Sequence, residues 1–305
     1  MSTFIDERRC DFGVELICRT LEVSASAYYR RATGQRSARA VEDERLLGVI
    51  RRTHAANYEA YGSRRICKAL RREGEDVGRG HVERLMATNG ICGAKRRGKP
   101  WRTTIAGTDP VASPDLVNRD FTASAPNRTW VADFTYIRCW EGVVFFSFVL
   151  DVYSRRVVGW QFAGHMRTEL VHDALDMAVA ARRVEPRGLL VHHSDRGSQY
   201  TSAQFNDALH DHGLLASLGS VGDAYDNAMA ESFVDTFKTE LIADRVWRSR
   251  NELELAIVAW VGWYNHQRLH SSLGDVPPSE FEAPRDYEIT GTVDLSCSFD
   301  LISCD

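Results

Sequence analysis

The sequence lacks the features of membrane and secreted proteins. Its 305 residues contain no apolar run approaching the roughly 18 to 20 residues that cross a bilayer. Its start, MSTFIDERRCDF, is charged where a signal peptide needs an apolar region. Seven cysteines, an odd number without a CxxC pair, argue against a disulfide framework and against a zinc knuckle. We therefore expect a protein of the cytoplasm.

Sustained coiled-coil heptads are also absent, but charge is unevenly distributed. Residues 1–120 contain 23 Lys and Arg against 16 Asp and Glu, a net +7, whereas residues 121–305 contain 15 against 26, a net −11. A basic first part favours a polyanionic partner, and an acidic second part suits a carboxylate site that works with cations. Solvated surface charge explains either part alone equally well.

The first part of the chain predicts helices. Residues 13–31 predict two short helices around Val23, with Ser24 and Ser26 as candidate N-caps. A charged helical stretch follows near 41–54. We assign residues 1–55 to an N-terminal helical region that resembles a helix-turn-helix.

Residues 56–101 predict a helix-turn-helix DNA-binding domain. Ile66 and Leu70 keep helical spacing before a break at 74–80, and apolar residues keep it afterwards, so the second helix should span about 79–88 and lie in a major groove. Two helices and a turn also occur in ordinary helical domains. Basic residues favour DNA because they supply phosphate contacts; they are Arg64, Arg65, Lys68, Arg71, Arg72, Lys95, Arg96 and Arg97.

The second part predicts an α/β fold. A linker at 102–126 precedes three aromatic and β-branched runs with short turns between them, which are typical of an antiparallel meander. Further elements alternate: helix 168–183, strand GLLVHH, helix 201–211, strand LLASL, and helices 225–243 and 250–266. This order predicts a mixed five-stranded sheet with flanking helices in a core at 127–285. Residues 286–305 should be a loosely ordered acidic tail.

Most aromatic residues of this part are expected in the core. The set on the strands is Trp130, Trp140, Trp160, Phe145 and Phe146, and the set expected to pack the last helix on the sheet is Trp247, Trp260, Trp263 and Tyr264. For His266, Arg268 and His270, DNA contact and a helix-end cap remain equally open.

Three acids occupy positions that can meet at the sheet. Asp133 lies within the first strand, Asp195 just past the fourth, and Glu231 inside the long helix. Converging carboxylates repel one another unless a cation neutralises them, and oxygen ligands select Mg²⁺ or Mn²⁺. A pair of such ions is the usual device for displacement at a phosphodiester.

Other polar residues nearby have simpler explanations. Asp151 is the main rival acid, but a turn-capping role is favoured. Asp235 can share the face of Glu231, although for it and for Glu240 a solvated or salt-bridged role is the default. His192 and His193 are better read as hydrogen-bonded structural histidines than as supports of a metal site. Ser194 lacks the surroundings of a nucleophile.

The motifs carry a resemblance. Asp195 and Glu231 are separated by 35 residues, and Lys238 follows seven positions later. With WVADFTYI, LDVYSRRVVGW, HHSDRGSQY, GDAYDNAMAESFVDTFKTE and YNHQRLHSSLGDVPPSEF, the chain resembles the OrfB-type transposases of the insertion sequence 3 family, relatives of retroviral integrases.

The resemblance implies a ribonuclease-H-like core with two Mg²⁺ or Mn²⁺ ions on Asp133, Asp195 and Glu231. The implied activity is nicking and strand transfer at terminal inverted repeats and target DNA, with Asn227 and Lys238 contacting DNA. It also implies a homo-oligomer in the DNA complex, an upstream OrfA partner or fusion, and a place at the bacterial nucleoid. Two alternatives stay open: a ribonuclease-H-like nuclease, and a non-catalytic DNA-binding regulator.

Overall fold

The computed structural model describes residues 2–34, 36–95, 113–184, 189–219, 227–243 and 245–289. The chain divides into two compact units, Met1–Gly93 and Ala94–Asp305. No helix in the described ranges is long and apolar enough to cross a membrane.

The first unit is helical. Its helices are α1 (Ser2–Phe12), α2 (Val14–Thr20), α3 (Ala25–Ala32), α4 (Ala38–Ala56), α5 (Ser63–Arg72) and α6 (Arg79–Thr88). Ser24 caps α3 by accepting a hydrogen bond from the Ala27 N–H, as predicted, while Ser26 lies inside that helix.

Helices α5 and α6 are the two helices predicted for the helix-turn-helix, and α4 packs against both. The apolar residues at helical spacing are buried, namely Ile66, Leu70, Val82, Leu85 and Met86. Ion pairs add to this packing: Arg84 and His81 of α6 bind Asp43 of α4, and Arg45 of α4 binds Glu75 in the turn. The turn is also braced from within, since Arg71 Nε donates to the Val77 carbonyl at 3.0 Å.

The second unit is built on a mixed five-stranded sheet, as predicted. Its strands are β1 (Thr129–Cys139), β2 (Gly142–Asp151), β3 (Val157–Ala163), β4 (Val191–Ser194) and β5 (Leu215–Leu218). Their order is β3-β2-β1-β4-β5, with the first three antiparallel and β4 parallel to both β1 and β5. The late strand β4 therefore lies between the early β1 and the last strand β5.

Helices cover both faces of this sheet. They are α7 (Thr168–Arg182), α8 (Ala203–Asp211), α9 (Ala228–Phe237), a π-helix (Lys238–Ile242), α10 (Arg250–His266), a 3₁₀ turn (Ser271–Leu273) and α11 (Pro278–Ile289). One face packs Trp130 and Ala132 with residues of α7 and α8. Gly159 of β3 permits the close approach of α7, because a Cβ there would lie 2.1 Å from the Ala174 carbonyl oxygen.

The other face is aromatic. Phe146 stacks on Phe237 at 4.8 Å between ring centres, and Phe148 meets Phe233 at 4.3 Å. Trp260 of α10 packs edge-on against both α9 rings. The prediction that Trp260 fixes α10 to the core is confirmed, and each such pair contributes about 1 kcal/mol beyond its buried area.

Three expectations need correction. Trp140 is 73% exposed, because it lies at the β1–β2 turn beyond the last paired strand residues. Part of the expected linker is packed on the core, where Val117 is buried and the Leu116 N–H donates to Ser217 Oγ at 2.9 Å. Residues 286–289 continue α11 instead of starting a tail, and 290–305 lie outside the described residues.

Candidate active site

The register between β1 and β4 brings two of the predicted acids together. Thr129 lies opposite Val191, and Val131 lies opposite His193. Continuing this parallel register by two residues places Asp195, the first residue beyond β4, beside Asp133 within β1. Residues 62 positions apart in the sequence thus become neighbours at the end of a parallel strand.

Electrostatics support this placement. Burial raises the pKa of Asp133 well above its usual value, the charges of Asp195 and Glu231 raise it further, and the Phe134 N–H and Lys238 oppose the shift. The Phe134 N–H donates to Asp133 Oδ1 at 2.7 Å. The carboxyl groups are therefore close enough to disfavour one another's ionisation.

A short loop holds Asp195. Its Oδ1 accepts a hydrogen bond from the Gly197 N–H at 3.0 Å, and a Cβ on Gly197 would crowd the same oxygen at 3.0 Å. Gln199 Nε2 ties the loop to the Met166 carbonyl at 3.0 Å. Burial raises the pKa of Tyr200, and the charges of Asp133 and Asp195 raise it further. The turn chemistry of HHSDRGSQY thus orients the carboxylate.

Glu231 lies on the exposed side of the first turn of α9. Burial of part of the side chain raises its pKa, and Asp235, one turn further, adds to the effect. Asp235 therefore shares the face of Glu231. Asn227, the N-cap of α9, is buried, and its Oδ1 has no hydrogen-bond partner in the described part of the chain.

Lys238 opens the π-helix after α9 and is half-buried. Its Nζ lies 5.2 Å from the ring centre of Tyr136 on β1. Burial lowers the pKa of Lys238, while Asp133 and Asp235 oppose that shift. The ammonium group is therefore close to the acids, and it is less exposed than a simple DNA-contacting lysine would be.

The π-helix is fixed by a buried ion pair. Arg268 donates to both oxygens of Glu240, from Nε at 2.8 Å and from Nη2 at 2.7 Å. Arg268 and His270 are both buried, so DNA contact by these two side chains does not hold. His266 is exposed at the end of α10.

The donor set suits a hard divalent ion, but it is not assembled as a metal cluster. Within the described ranges, no three His, Cys, Asp or Glu side chains are grouped closely enough to hold an ion. The chemistry nevertheless fits, because mutually repelling carboxylates gain most from a cation that neutralises them.

Asp151 has the structural role that its turn predicted. Its Oδ1 accepts from the Tyr153 N–H at 2.9 Å, and its Oδ2 accepts from the Asn127 N–H at 2.8 Å. Arg182 lies 3.7 Å away and joins Asp151 to Glu282 of α11. Both carboxylate oxygens of Asp151 thus hold the turn and its neighbours in place.

The two histidines are buried on opposite faces. His192 packs among Tyr200 and Phe205, and burial lowers its pKa to about 3, so it is neutral; neither ring nitrogen has a hydrogen-bond partner among the described residues, so the prediction of a hydrogen-bonded histidine is wrong for His192. His193 Nδ1 lies 2.8 Å from Ser217 Oγ, which fits a hydrogen-bonded structural histidine. Ser194 is buried in β4.

The basic residues predicted for DNA binding differ in exposure. Arg64, Arg71, Arg72 and Lys95 are exposed, whereas Arg65 and Lys68 are half-buried. The Arg65 guanidinium lies 5.6 Å from the ring centre of Tyr61. Arg96 and Arg97 lie outside the described residues.

One surface feature of the second unit was not predicted from the sequence. Trp140 is exposed beside the segment RVWRSR at 245–250, and the Arg248 guanidinium lies 5.8 Å from its ring centre. Three arginines within the six residues of that segment are the available signal.

Family models agree with the two units. The model described as "Integrase core domain" matches residues 123–224, and a second model with the same description matches 212–278. The model described as "HTH-like domain" matches residues 41–99. The fold and the site thus define a protein with an integrase core and a helix-turn-helix.

Relatives give the family. The chain is 44% identical over 301 residues to the transposase for insertion sequence element IS629 of Shigella sonnei, covering 97% of this chain and 100% of that protein. It is 34% identical to the transposase InsF for insertion sequence IS3A of Escherichia coli, covering 92% and 97%. The chain belongs to the transposases of the insertion sequence 3 family.

Among solved structures, the catalytic core domain of BIV integrase is 18% identical, with a TM-score of 0.40. The match covers 54% of this chain and 99% of that one. The family assignment rests on the sequence relatives.

Proposed function

We propose that the chain catalyses metal-dependent nicking and strand transfer at the ends of an insertion sequence. Asp133, Asp195 and Glu231 would hold two Mg²⁺ or Mn²⁺ ions. The observation that carries this proposal is the β1–β4 register, which puts Asp195 beside Asp133, together with the raised pKa of Asp133.

Each residue of the candidate site has its own proposed role. When bound, the ions would activate the attacking oxygen and stabilise the leaving oxygen at the phosphodiester. The loop at Gly197 orients Asp195, and the Phe134 N–H orients Asp133. Glu231, on the exposed turn of α9, would complete the ligand set as DNA and metal bind. Lys238 would hold the terminal DNA strand next to the acids.

The proposed partners follow from the same reading. The substrates would be the terminal inverted repeats and target DNA, bound by the helix-turn-helix through its exposed arginines. A homo-oligomer would assemble on these ends, and an upstream OrfA product or an OrfA–OrfB fusion would strengthen end recognition. Gel shifts that compare this chain with the fusion on end-bearing DNA test the last point, and equal affinity and specificity would contradict it.

The main test uses Asp195→Asn in the full chain. We expect Mg²⁺-dependent joining of end-bearing DNA to fall on the order of a thousandfold, because metal polarisation contributes several kcal/mol to such reactions. DNA affinity in EDTA should stay close to that of the unmodified chain. Asp207→Asn, on the exposed side of α8, is the matched control.

The outcomes separate the alternatives. Full joining activity of Asp195→Asn would refute catalysis through these acids. If the unmodified chain cleaves DNA without any joining, a ribonuclease-H-like nuclease is favoured; if the unmodified chain binds DNA without either reaction, a regulator is favoured.

A further inference from the structure

An exposed basic-aromatic patch lies at one end of the catalytic sheet. It consists of Arg138 at the end of β1, Trp140 in the β1–β2 turn, Arg245 and Arg248 in the segment before α10, and Arg250, the first residue of α10. All four arginines are exposed, and Trp140 is 73% exposed. A tryptophan with this exposure and an arginine over its ring has the composition of a nucleic-acid contact.

The patch is held in place by its backbone. The Trp140 N–H donates to the carbonyl of Trp247 at 3.0 Å, and Trp247 is buried. This bond joins the β1–β2 turn to the 245–250 segment. The two sets of side chains are therefore presented together.

The two nearby carboxylates accept hydrogen bonds from backbone N–H groups of the 245–250 segment. Glu141 Oε2 accepts from the Arg250 N–H at 2.9 Å, and Glu252 Oε2 accepts from the Arg248 N–H at 2.9 Å. Among the residues that the structure describes, Arg138, Arg248 and Arg250 form no ion pair with a carboxylate. The side chains of Arg138 and Arg248 are exposed, and Arg250 Nη2 donates to the Glu141 carbonyl at 3.3 Å, although residues 121–305 carry a net −11.

A local cluster of positive charge on an otherwise acidic unit favours binding of a polyanion. The exposed indole of Trp140 favours a polyanion whose flat bases can stack on it. Arginine neutralises phosphates without regard to sequence, and stacking on an aromatic ring contributes about 1 to 3 kcal/mol per unpaired base. A nucleic acid satisfies both parts of the patch, whereas an acidic protein surface would leave the indole unmatched.

We propose that the basic-aromatic patch is a second DNA-binding surface, which holds the DNA beyond the scissile phosphate and stacks Trp140 on an unpaired base. This inference rests on the proposed function, since it takes DNA as the substrate. Asp133 and Trp140 are seven residues apart along β1, or about 23 Å at the rise of a strand. DNA that follows β1 would reach the patch about seven base pairs from the acids, at roughly 3.4 Å per pair.

The phosphate contacts are tested with Arg138→Gln/Arg248→Gln in the full chain. Arg128→Gln/Arg183→Gln is the matched control, because it removes two exposed arginines elsewhere in the same unit. Anisotropy titrations use a labelled duplex of about 40 base pairs in EDTA across a range of NaCl concentrations. At about 0.1 M salt, we expect the patch variant to bind on the order of tenfold more weakly, and its salt slope to fall by about 2.

The stacking contact is tested with Trp140→Ala. On forked DNA with unpaired bases we expect at least about a fivefold loss of affinity, and a smaller loss on a fully paired duplex. Because all substituted side chains are exposed, thermal unfolding of every variant should match that of the unmodified chain, which excludes misfolding as the cause.

The results distinguish the patch from the proposed function. An unmodified chain that binds no DNA overturns both. An unmodified chain that binds and joins DNA, with patch variants equal to the control, overturns the patch alone. Weaker binding with an unchanged salt slope also counts against it, because phosphate contacts must release counterions.

Discussion

The buried ion pair between Glu240 and Arg268 makes the sharpest stability prediction. The two side chains are 5% and 6% exposed and share two hydrogen bonds of 2.7 and 2.8 Å. Arg268→Met leaves the Glu240 carboxylate buried without its partner, which costs about 3 to 5 kcal/mol. At roughly 2 to 4 °C per kcal/mol for a unit of this size, the melting temperature should fall by about 10 °C.

The double variant Glu240→Leu/Arg268→Met decides whether the missing partner is the cause. Replacing both charges with apolar side chains removes the buried carboxylate that has lost Arg268, so at least about 2 kcal/mol should be recovered. All seven tryptophans follow residue 100, so urea unfolding monitored by their fluorescence reports on the catalytic unit. A double variant no more stable than Arg268→Met would refute the reasoning.

Two further predictions concern the sheet. Asp133→Asn should stabilise the metal-free protein at neutral pH, because burial and the charge of Asp195 raise the pKa of Asp133 above its unfolded value, so that the ionised form destabilises the fold. The gain should shrink as pH falls below the raised pKa and vanish only below the pKa of the unfolded carboxyl; melts in EDTA between about pH 3 and 8 measure it, and no gain near pH 7 would contradict it. Gly159→Ala should cost about 1 to 3 kcal/mol because its Cβ would meet the Ala174 carbonyl at 2.1 Å, whereas Gly262→Ala, with open space inside α10, should add up to about 1 kcal/mol. Urea midpoints compare the two, and equal effects would contradict the packing argument.

Much of the fold follows from local pattern. Spacing predicted α6 at 79–88 and the structure has Arg79–Thr88; it also predicted α10 at 250–266, where the structure has Arg250–His266. Both helices bury apolar residues at helical spacing, and their starts are marked by Gly78 before α6 and by the capping Ser249 before α10. Local sequence was sufficient because the buried faces repeat regularly.

The remaining differences depend on tertiary contacts. The long helix predicted at 225–243 is α9 followed by a π-helix, and the buried Glu240–Arg268 pair joins residues 28 positions apart. Trp140 follows a strand in the sequence but is exposed, because the strand pairing ends before it. Neither effect leaves a periodic signal in the chain.

The candidate site shows the same division. Asp133, Asp195 and Glu231 were selected from spacing and flanking motifs, and the sheet register then put the two aspartates side by side. The π-helix at Lys238 and the half-buried state of its ammonium group could not be predicted from the sequence, since the first is fixed by the Glu240–Arg268 pair and the second depends on packing near Tyr136 of β1.

The central position of β4 has a consequence for synthesis of the protein. The meander β1 to β3 leaves the ribosome first, and one edge of β1 stays unpaired until β4 follows. Asp133 therefore gains its neighbour only after residue 195 has been made, and Glu231 comes later still. A nascent or truncated chain that ends before these residues would carry no complete set of acids, so any cutting of DNA would have to await nearly the whole chain.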